Sequence, residues 1–330
     1  MALETSRLCD LCGRRGAYVY QAYASRVLCV QCLIDDVIER AKLTISRYNM
    51  VSPGDKVALA LSGGKDSLVL LDALVRIIEP SRLIGISIIE GIRGYTREED
   101  VERTRRLARE LGVDVVTATF REFYGASLSE MIDAARARGA AQSPCTFCGV
   151  LRRRAINSVA RELGATKVAT AHNLDDEVQT ALINLLRGDV YRLARLSPLA
   201  PRLSELFVQR IKPLRRVYEW EIVFYANARG FPFQEIDCPY IVEAPTARAR
   251  LRRTLYSIEW ERPGTLMRLL DALDELAARL LPEVERHGRL PVCSVCGEPT
   301  SRGRELCKTC ELLSSIAGGA TRSGGGASAL

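Results

Sequence analysis

Short apolar runs near residues 57–62, 83–89, 113–120, 166–171 and 207–211 alternate with stretches whose apolar residues recur every three or four positions. Runs of this length read as buried strands, and their alternation with helices predicts an α/β fold, a doubly wound parallel sheet over residues 52–240. One helix runs from Asp66 to Ile78 and aligns Leu68, Leu71, Leu74 and Val75; another starts at Cys148 and aligns Leu151, Ala155, Ile156, Val159, Ala160 and Leu163 up to Gly164. A third spans Asp176 to Leu186, with Asn173 or Asp175 as its cap. Before this block, Leu33 to Tyr48 reads as a linking helix, giving a small unit at 1–35 and a linker at 36–51. After it come a helical extension at 241–289, broken at Pro263-Gly264, a second small unit at 290–313, and a tail at 314–330 that turns Gly/Ser-rich and is expected to be disordered.

The strand Val57 to Leu61 runs directly into Ser62-Gly63-Gly64-Lys65-Asp66-Ser67 and then a helix. A tight turn opening a helix brings several backbone N–H groups to one point, beside two hydroxyls and an ammonium, which is a cradle for an oxyanion. The nucleoside-triphosphatase loop has a different spacing, since no hydroxyl directly follows the lysine here. At these residues the chain resembles the PP-loop ATP pyrophosphatases, whose S-G-G-x-D-S motif holds the pyrophosphate end of ATP. That resemblance implies cleavage of ATP to AMP and pyrophosphate, with a carbonyl oxygen activated as an adenylate.

Eleven cysteines sort by spacing into four, three and four. Cys9, Cys12, Cys29 and Cys32 form two CxxC pairs near the N-terminus, and Cys293, Cys296, Cys307 and Cys310 form two near the C-terminus. Paired CxxC turns suit four thiolates around a tetrahedral Zn²⁺ and give poor disulfide geometry, so two closed, structural zinc knuckles are expected. A unit as small as residues 1–35 needs such a metal to fold. Cys145, Cys148 and Cys238 remain. Three thiolates leave a metal centre one open position, as catalytic centres require, while the bland reading is a redox-inert CxxC beside a core cysteine. A helix N-terminus at Cys148, with Arg152, Arg153 and Arg154 in its first two turns, is expected to favour thiolates there.

The combination of loop and cysteines, from about Cys9 to Leu313, resembles the TtuA and cytosolic thiouridylase family of PP-loop tRNA 2-thiouridine synthases. The resemblance implies that Cys145, Cys148 and Cys238 hold a 4Fe–4S cluster with one iron free to take sulfur. It further implies ATP contacts from Ala60, Ser62, Gly63, Gly64, Lys65, Asp66, Ser67, Ile88, Arg152 and Ala171, with Mg²⁺ at the phosphates, and catalytic roles for Lys65, Asp176 and the three cysteines. Asp176 is expected as a general base or Mg²⁺ contact, whereas Asp175 reads as a cap and His172 as a hydrogen-bonded structural residue. Ala171 occupies a position commonly glycine in the family, the N-terminal unit has four cysteines where some relatives use a histidine, and Arg152 stands where relatives carry lysine or arginine. The stretches around Glu90-Gly91-Ile92, Cys148-Gly149-Val150-Leu151 and Leu186-Arg187-Gly188-Asp189 look closer to the branch acting on the wobble uridine, position 34, than to that acting on T-loop uridine 54.

Charge adds a partner to this picture. The net charge is +7, and between Arg187 and Arg216 eight Arg or Lys face only Asp189 and Glu205. A second run, Thr246 to Arg253, holds Arg248, Arg250, Arg252 and Arg253 with no acid. A charge run is ordinarily a solvated helix face; because these two flank Cys238, they read as RNA-binding, with Arg192 and Arg195 in the first. No signal peptide and no apolar run of 18 residues is present, which predicts a cytoplasmic protein without membrane contact. The expected reaction is transfer of sulfur to C2 of a flipped-out uridine with loss of AMP, the sulfur coming from the cluster or from a persulfide on one of the three cysteines. By resemblance the donor is a ubiquitin-like sulfur carrier or free sulfide, and a homodimer stays open. The competing class is a zinc-knuckle RNA-binding protein with a vestigial loop, against which intact Lys65, Asp66 and Ser67 argue.

Overall fold

The computed structural model describes residues 7–14, 16, 18–95, 97–198, 200, 202–233, 237–243, 247–286 and 288–317. Residues 314–316, expected within the disordered tail, instead belong to the last helix; Thr246 and residues 318–330 lie outside the described residues. The chain opens with an antiparallel hairpin, β1 (Val19–Gln21) and β2 (Arg26–Leu28), followed by α1 (Val30–Arg47). This helix begins at Val30 rather than Leu33 because Cys29 is its N-cap, its sulfur 3.5 Å from the Cys32 N–H. The second pair of cysteines is thereby built around a helix start.

The central block alternates as its hydrophobic pattern predicts. Its elements are β3 (Val57–Ala60), α2 (Lys65–Val75), β4 (Leu83–Ile89), α3 (Arg97–Glu110), β5 (Val115–Thr119), α4 (Phe120–Tyr124), α5 (Leu128–Ala137), α6 (Pro144–Glu162), β6 (Lys167–Ala169), α7 (Leu174–Leu186), α8 (Val190–Ala194), β7 (Gln209–Ile211) and α9 (Glu219–Ala228). The five strands are parallel in the order β5-β4-β3-β6-β7. Strand order reverses between β3 and β6, and the crevice outside the carboxyl ends of those strands is where such sheets bind ligands. Alternate residues of β3 feed different cores: Val57, Leu59 and Leu61 join α1, α2 and α9 on one face, while Ala58 joins Ile86, Ile88 and the apolar sides of α5 and α6 on the other.

The remaining helices are α10 (Pro239–Glu243), α11 (Ala247–Glu261), α12 (Thr265–Arg279), α13 (Leu281–Arg286) and α14 (Lys308–Ile316). The break between α11 and α12 falls at Pro263-Gly264, where Gly264 takes φ +86°. Helices α11 and α12 pack on α7, and α14 returns to α5 and α6, burying Leu312 beside Phe147 and Leu151. Arg215, 1% exposed, forks onto Asp274 at 2.5 and 2.7 Å and so ties α12 beneath the sheet.

Both cysteine units are fastened by buried carboxylates. Glu221 on α9 is fully buried and accepts from Gln21 Nε2 (2.8 Å), the Tyr23 hydroxyl (2.7 Å), Arg40 Nη2 (2.7 Å) and the Tyr218 N–H (3.0 Å). Glu298, in the C-terminal unit, pairs with Arg154 (2.5 Å) and Arg161 (2.8 Å) of α6. Removing one partner of such a pair strands the other without water. Glu221→Leu is therefore expected to cost roughly 3–5 kcal/mol of unfolding free energy, read as a lower denaturant midpoint; a loss below about 1 kcal/mol would contradict this role.

Candidate nucleotide and cysteine site

Strand β3 ends at Ala60 opposite Ile86, while β4 runs on to Ile89, so the chain leaves the sheet over residues 61–64 and opens the crevice. Gly63 takes φ +78°, and an added Cβ would come 3.1 Å from Cβ of Asp100 on α3; the turn requires glycine. Ser67 ties the loop together, its hydroxyl donating to the Gly64 carbonyl (2.8 Å) and accepting the Ser62 N–H (3.2 Å). Gly64 caps α2 with no side-chain acceptor, which leaves the first N–H groups of the helix without the partner a capping side chain gives. Lys65 Nζ lies 2.9 Å from Asp66 and 3.2 Å from Glu219; burial works against the ammonium, but these carboxylates outweigh it and raise its pKa. Ser62, Gly63, Gly64, Lys65, Asp66 and Ser67 thus form one loop, with Ala60 beneath it, Ile88 buried in the neighbouring strand, and Ala171 half-buried past the end of β6.

A second loop meets the first. Asn173 is the cap of α7, which begins at Leu174 rather than Asp176: its Oδ1 accepts the Asp176 N–H (3.0 Å) and its Nδ2 donates to Asp66 (3.1 Å). Asp175 does not cap its own helix; its carboxylate accepts the Glu219 N–H (2.8 Å) at the start of α9. Asp176 completes the capping box and takes Arg248 Nη1 at 2.6 Å, with burial raising its pKa and Arg248 opposing. His172 keeps Nδ1 2.9 Å from the Thr170 hydroxyl.

Helix α6 starts at Pro144, capped by Ser143, so both Cys145 and Cys148 lie inside its first two turns. Cys238 precedes α10, which is held against α5 by Tyr240 on Ser129 (3.0 Å) and by Glu243 on Arg136 (2.7 Å). All three cysteines line one cavity of about 330 Å³ together with Ser62, Gly64 and Arg152. Arg152 Nε lies 2.5 Å from the buried carboxylate of Glu90, and its Nη2 donates to Cys148 Sγ at 3.0 Å. The expectation of favoured thiolates is corrected here: burial pushes Cys148 up to about 11 and raises Cys145, outweighing Arg152. Without a metal these two are thiols, and a bound metal would have to displace their protons.

The two outer groups have metal geometry already. The ligand atoms of Cys9, Cys12, Cys29 and Cys32, and those of Cys293, Cys296, Cys307 and Cys310, all lie within 4.8 Å of one another in each group. The Cys12–Cys29 and Cys296–Cys307 sulfur separations are 3.9 and 3.6 Å, against a tetrahedral edge of about 3.8 Å for Zn–S bonds near 2.3 Å. Despite burial, backbone N–H groups hold Cys9 and Cys293 well below the usual thiol range. All eleven cysteines are free, so neither unit relies on a disulfide. The sulfurs of Cys145, Cys148 and Cys238 are spread more widely than either group.

The arginine run divides. Arg248 is engaged by Asp176 and by Thr180 (2.7 Å), and Arg252 by Glu219, whereas Arg250 and Arg253 are exposed and have no ion pair among the described residues. Arg192 pairs with Asp189 at 3.2 Å, and Arg195 lies over the Tyr191 ring. Sequence reasoning missed Glu219, the Glu90 counter-charge to Arg152, and the Asn173 bridge to Asp66, because each acts through a partner 62 to 154 residues away.

The raised pKa of Asp175, about 6 against an ordinary 3.8, arises mainly from burial. The folded protein keeps this proton to higher pH than the unfolded chain, so the penalty for ionising it is absent near pH 4 and complete above about pH 6. Asp175→Asn, which can still accept the Glu219 N–H, is expected to gain melting temperature relative to the parent as pH rises from about 4 to 7. A constant difference across that range would contradict the assignment.

Comparison with known proteins places this geometry. Residues 36–258 match the family model described as PP-loop domain. The tRNA 2-thiolation protein NcsA of Haloferax volcanii is 34% identical over 325 residues, covering 93% of this chain and 98% of that one. Cytoplasmic tRNA 2-thiolation protein 1 of Debaryomyces hansenii is 32% identical over 348 residues, covering 95% and 89%. Among solved structures, the U34-tRNA thiolase NcsA from Methanococcus maripaludis with its 4Fe-4S cluster superposes with a TM-score of 0.75 at 29% identity, over 94% of this chain and 96% of that one. A nucleotide loop at the sheet's switch point, two four-cysteine units and near full-length similarity lead to one conclusion: the chain belongs to the PP-loop family, and within it to the group of tRNA 2-thiolation proteins that includes NcsA.

Proposed function

We propose that this protein is an ATP-dependent tRNA sulfurtransferase that adenylates the C2 oxygen of a uridine and replaces it with sulfur, at the wobble position. The observation that carries the reading is the shared cavity, in which Cys145, Cys148 and Cys238 face Ser62 and Gly64 of the nucleotide loop. Similarity to tRNA 2-thiolation proteins supports tRNA as the substrate, and similarity to the Methanococcus U34-tRNA thiolase with its 4Fe-4S cluster supports position 34 and the cluster.

The loop N–H groups and the hydroxyls of Ser62 and Ser67 receive the pyrophosphate end of ATP at the start of α2, where the helix favours negative charge. Lys65 balances the charge that grows on departing pyrophosphate, and Asp66, oriented by Asn173, would hold Mg²⁺. The uridine C2 oxygen attacks the α-phosphate, the bond to pyrophosphate breaks, and the uridine becomes an adenylate. Sulfur then bonds to C2 and the C2–O bond breaks with AMP leaving. Asp176, held by Arg248, is the proposed general base. A 4Fe–4S cluster on Cys145, Cys148 and Cys238 would supply, when bound, an iron with no protein ligand at which sulfur can be kept. Arg152 sets the Cys148 sulfur in place and lines the cavity together with Ser62 and Gly64. The two outer units would hold structural zinc, and the sulfur donor is a carrier thiocarboxylate or sulfide.

Anaerobic protein incubated with tRNA, ATP and sulfide is expected to yield 2-thiouridine at position 34 by mass spectrometry of tRNA fragments, with AMP and pyrophosphate as co-products. Lys65→Ala should lower turnover by roughly 100- to 1,000-fold while leaving tRNA binding intact. Thiolation at uridine 54 would move the site of action, and release of ADP would overturn the ATP chemistry. In the same preparations Cys145→Ala should lose iron and acid-labile sulfide and keep its zinc.

A further inference from the structure

Four arginines converge beside the cysteine cavity from three separate elements, and no step of the reaction above uses them. Arg153 projects from α6 and folds back over Gly149, where an added Cβ would lie 3.7 Å from its Nη2; Gly149 itself lines the cavity. Arg210 leaves β7 on the face opposite buried Ile211 and donates to the Arg153 carbonyl at 3.3 Å. Arg192 lies on α8 and Arg195 is its C-cap. Among the described residues the only carboxylate paired with any of the four is Asp189, on Arg192. All four side chains reach solvent, yet local crowding and the charges of Arg153 and Arg195 lower the pKa of Arg210, as crowding and the charges of Arg152 and Arg192 lower that of Arg153. Like charges held this way are destabilising until an anion joins them.

We propose that Arg153, Arg192, Arg195 and Arg210 form a phosphate clamp for the RNA strand on either side of the reacting uridine. The ligand chemistry is phosphodiester: guanidinium forks match phosphate oxygens, and such contacts give affinity and register without reading bases. Two placements favour this set over the α11 run. Two of the four α11 arginines, Arg248 and Arg252, are already neutralised by Asp176 and Glu219, leaving Arg250 and Arg253, whereas of the present set only Arg192 has a carboxylate partner among the described residues. The clamp also adjoins Gly149, on the wall of the cavity where the base must be delivered. ATP phosphates are the other source of the same chemistry, but they have their own cradle at the start of α2, beneath Lys65. The clamp rests on the RNA reading given above.

The test is binding of full-length tRNA and of a short anticodon stem–loop across a salt series, with the parent chain, Arg153→Gln/Arg210→Gln and the conservative Arg153→Lys/Arg210→Lys. The Gln pair is expected to flatten the plot of log K against log salt by about two on both RNAs. Affinity at moderate salt should fall about 10- to 100-fold, with the Lys pair retaining most of the slope and the KM for ATP unchanged. If the parent binds neither RNA, the RNA reading falls and takes the clamp with it. If the parent binds and the Gln pair keeps its slope, the clamp alone is overturned. A loss confined to full-length tRNA overturns its placement at the reacting nucleotide, and a raised KM for ATP with an unchanged RNA slope assigns the arginines to ATP instead.

Discussion

Glu90 ends β4 with its carboxylate 1% exposed, and Arg152 is its counter-charge at 2.5 Å. Leaving so buried a carboxylate without its counter-charge is costly. Because the same guanidinium reaches Cys148 Sγ, the pair fixes the first turns of α6 against the end of the sheet. The cysteines consequently stand over the nucleotide loop rather than over the next helix. The cavity shared by the Ser62–Gly64 loop and the three cysteines depends on this interaction as well as on the two motifs.

The metal units extend the same logic. Each grips, through a buried glutamate, a helix that delivers part of the site: Glu221 anchors the N-terminal unit on α9, whose first residue Glu219 holds Lys65, and Glu298 anchors the C-terminal unit on α6, which carries Cys145 and Cys148. Each unit buries only a small cluster around its own cysteines, so its metal ion would be felt in the placement of Lys65 and of the α6 cysteines as well as in stability. The α11 arginines close the crevice from the other side, on Asp176 and Glu219.

Much of this was legible in the chain. The five strands and the loop at Ser62 announce themselves because buried parallel strands are short unbroken apolar runs, and the four-cysteine units because thiolate spacing is local. Helix starts were less legible: Pro144, Leu174 and Val30 open their helices two to four residues before the apolar periodicity begins, since capping by Ser143, Asn173 and Cys29 decides the start and periodicity does not. The thiolate expectation at Cys148 failed because a helix end is visible in sequence and burial is not. Arg248 and Arg252 read as free cations in the run, and only the fold brings carboxylates to them.

The central claim is a division of labour within one cavity, the loop activating the uridine and the three cysteines delivering sulfur. The most direct measurement is a single-turnover anaerobic reaction of Cys145→Ala, beside the parent chain, with tRNA, ATP and sulfide, following AMP and 2-thiouridine together. The account predicts that AMP release persists through hydrolysis of the adenylate while 2-thiouridine is absent. Undiminished thiolation by this variant, or loss of AMP release with tRNA binding retained, would contradict it.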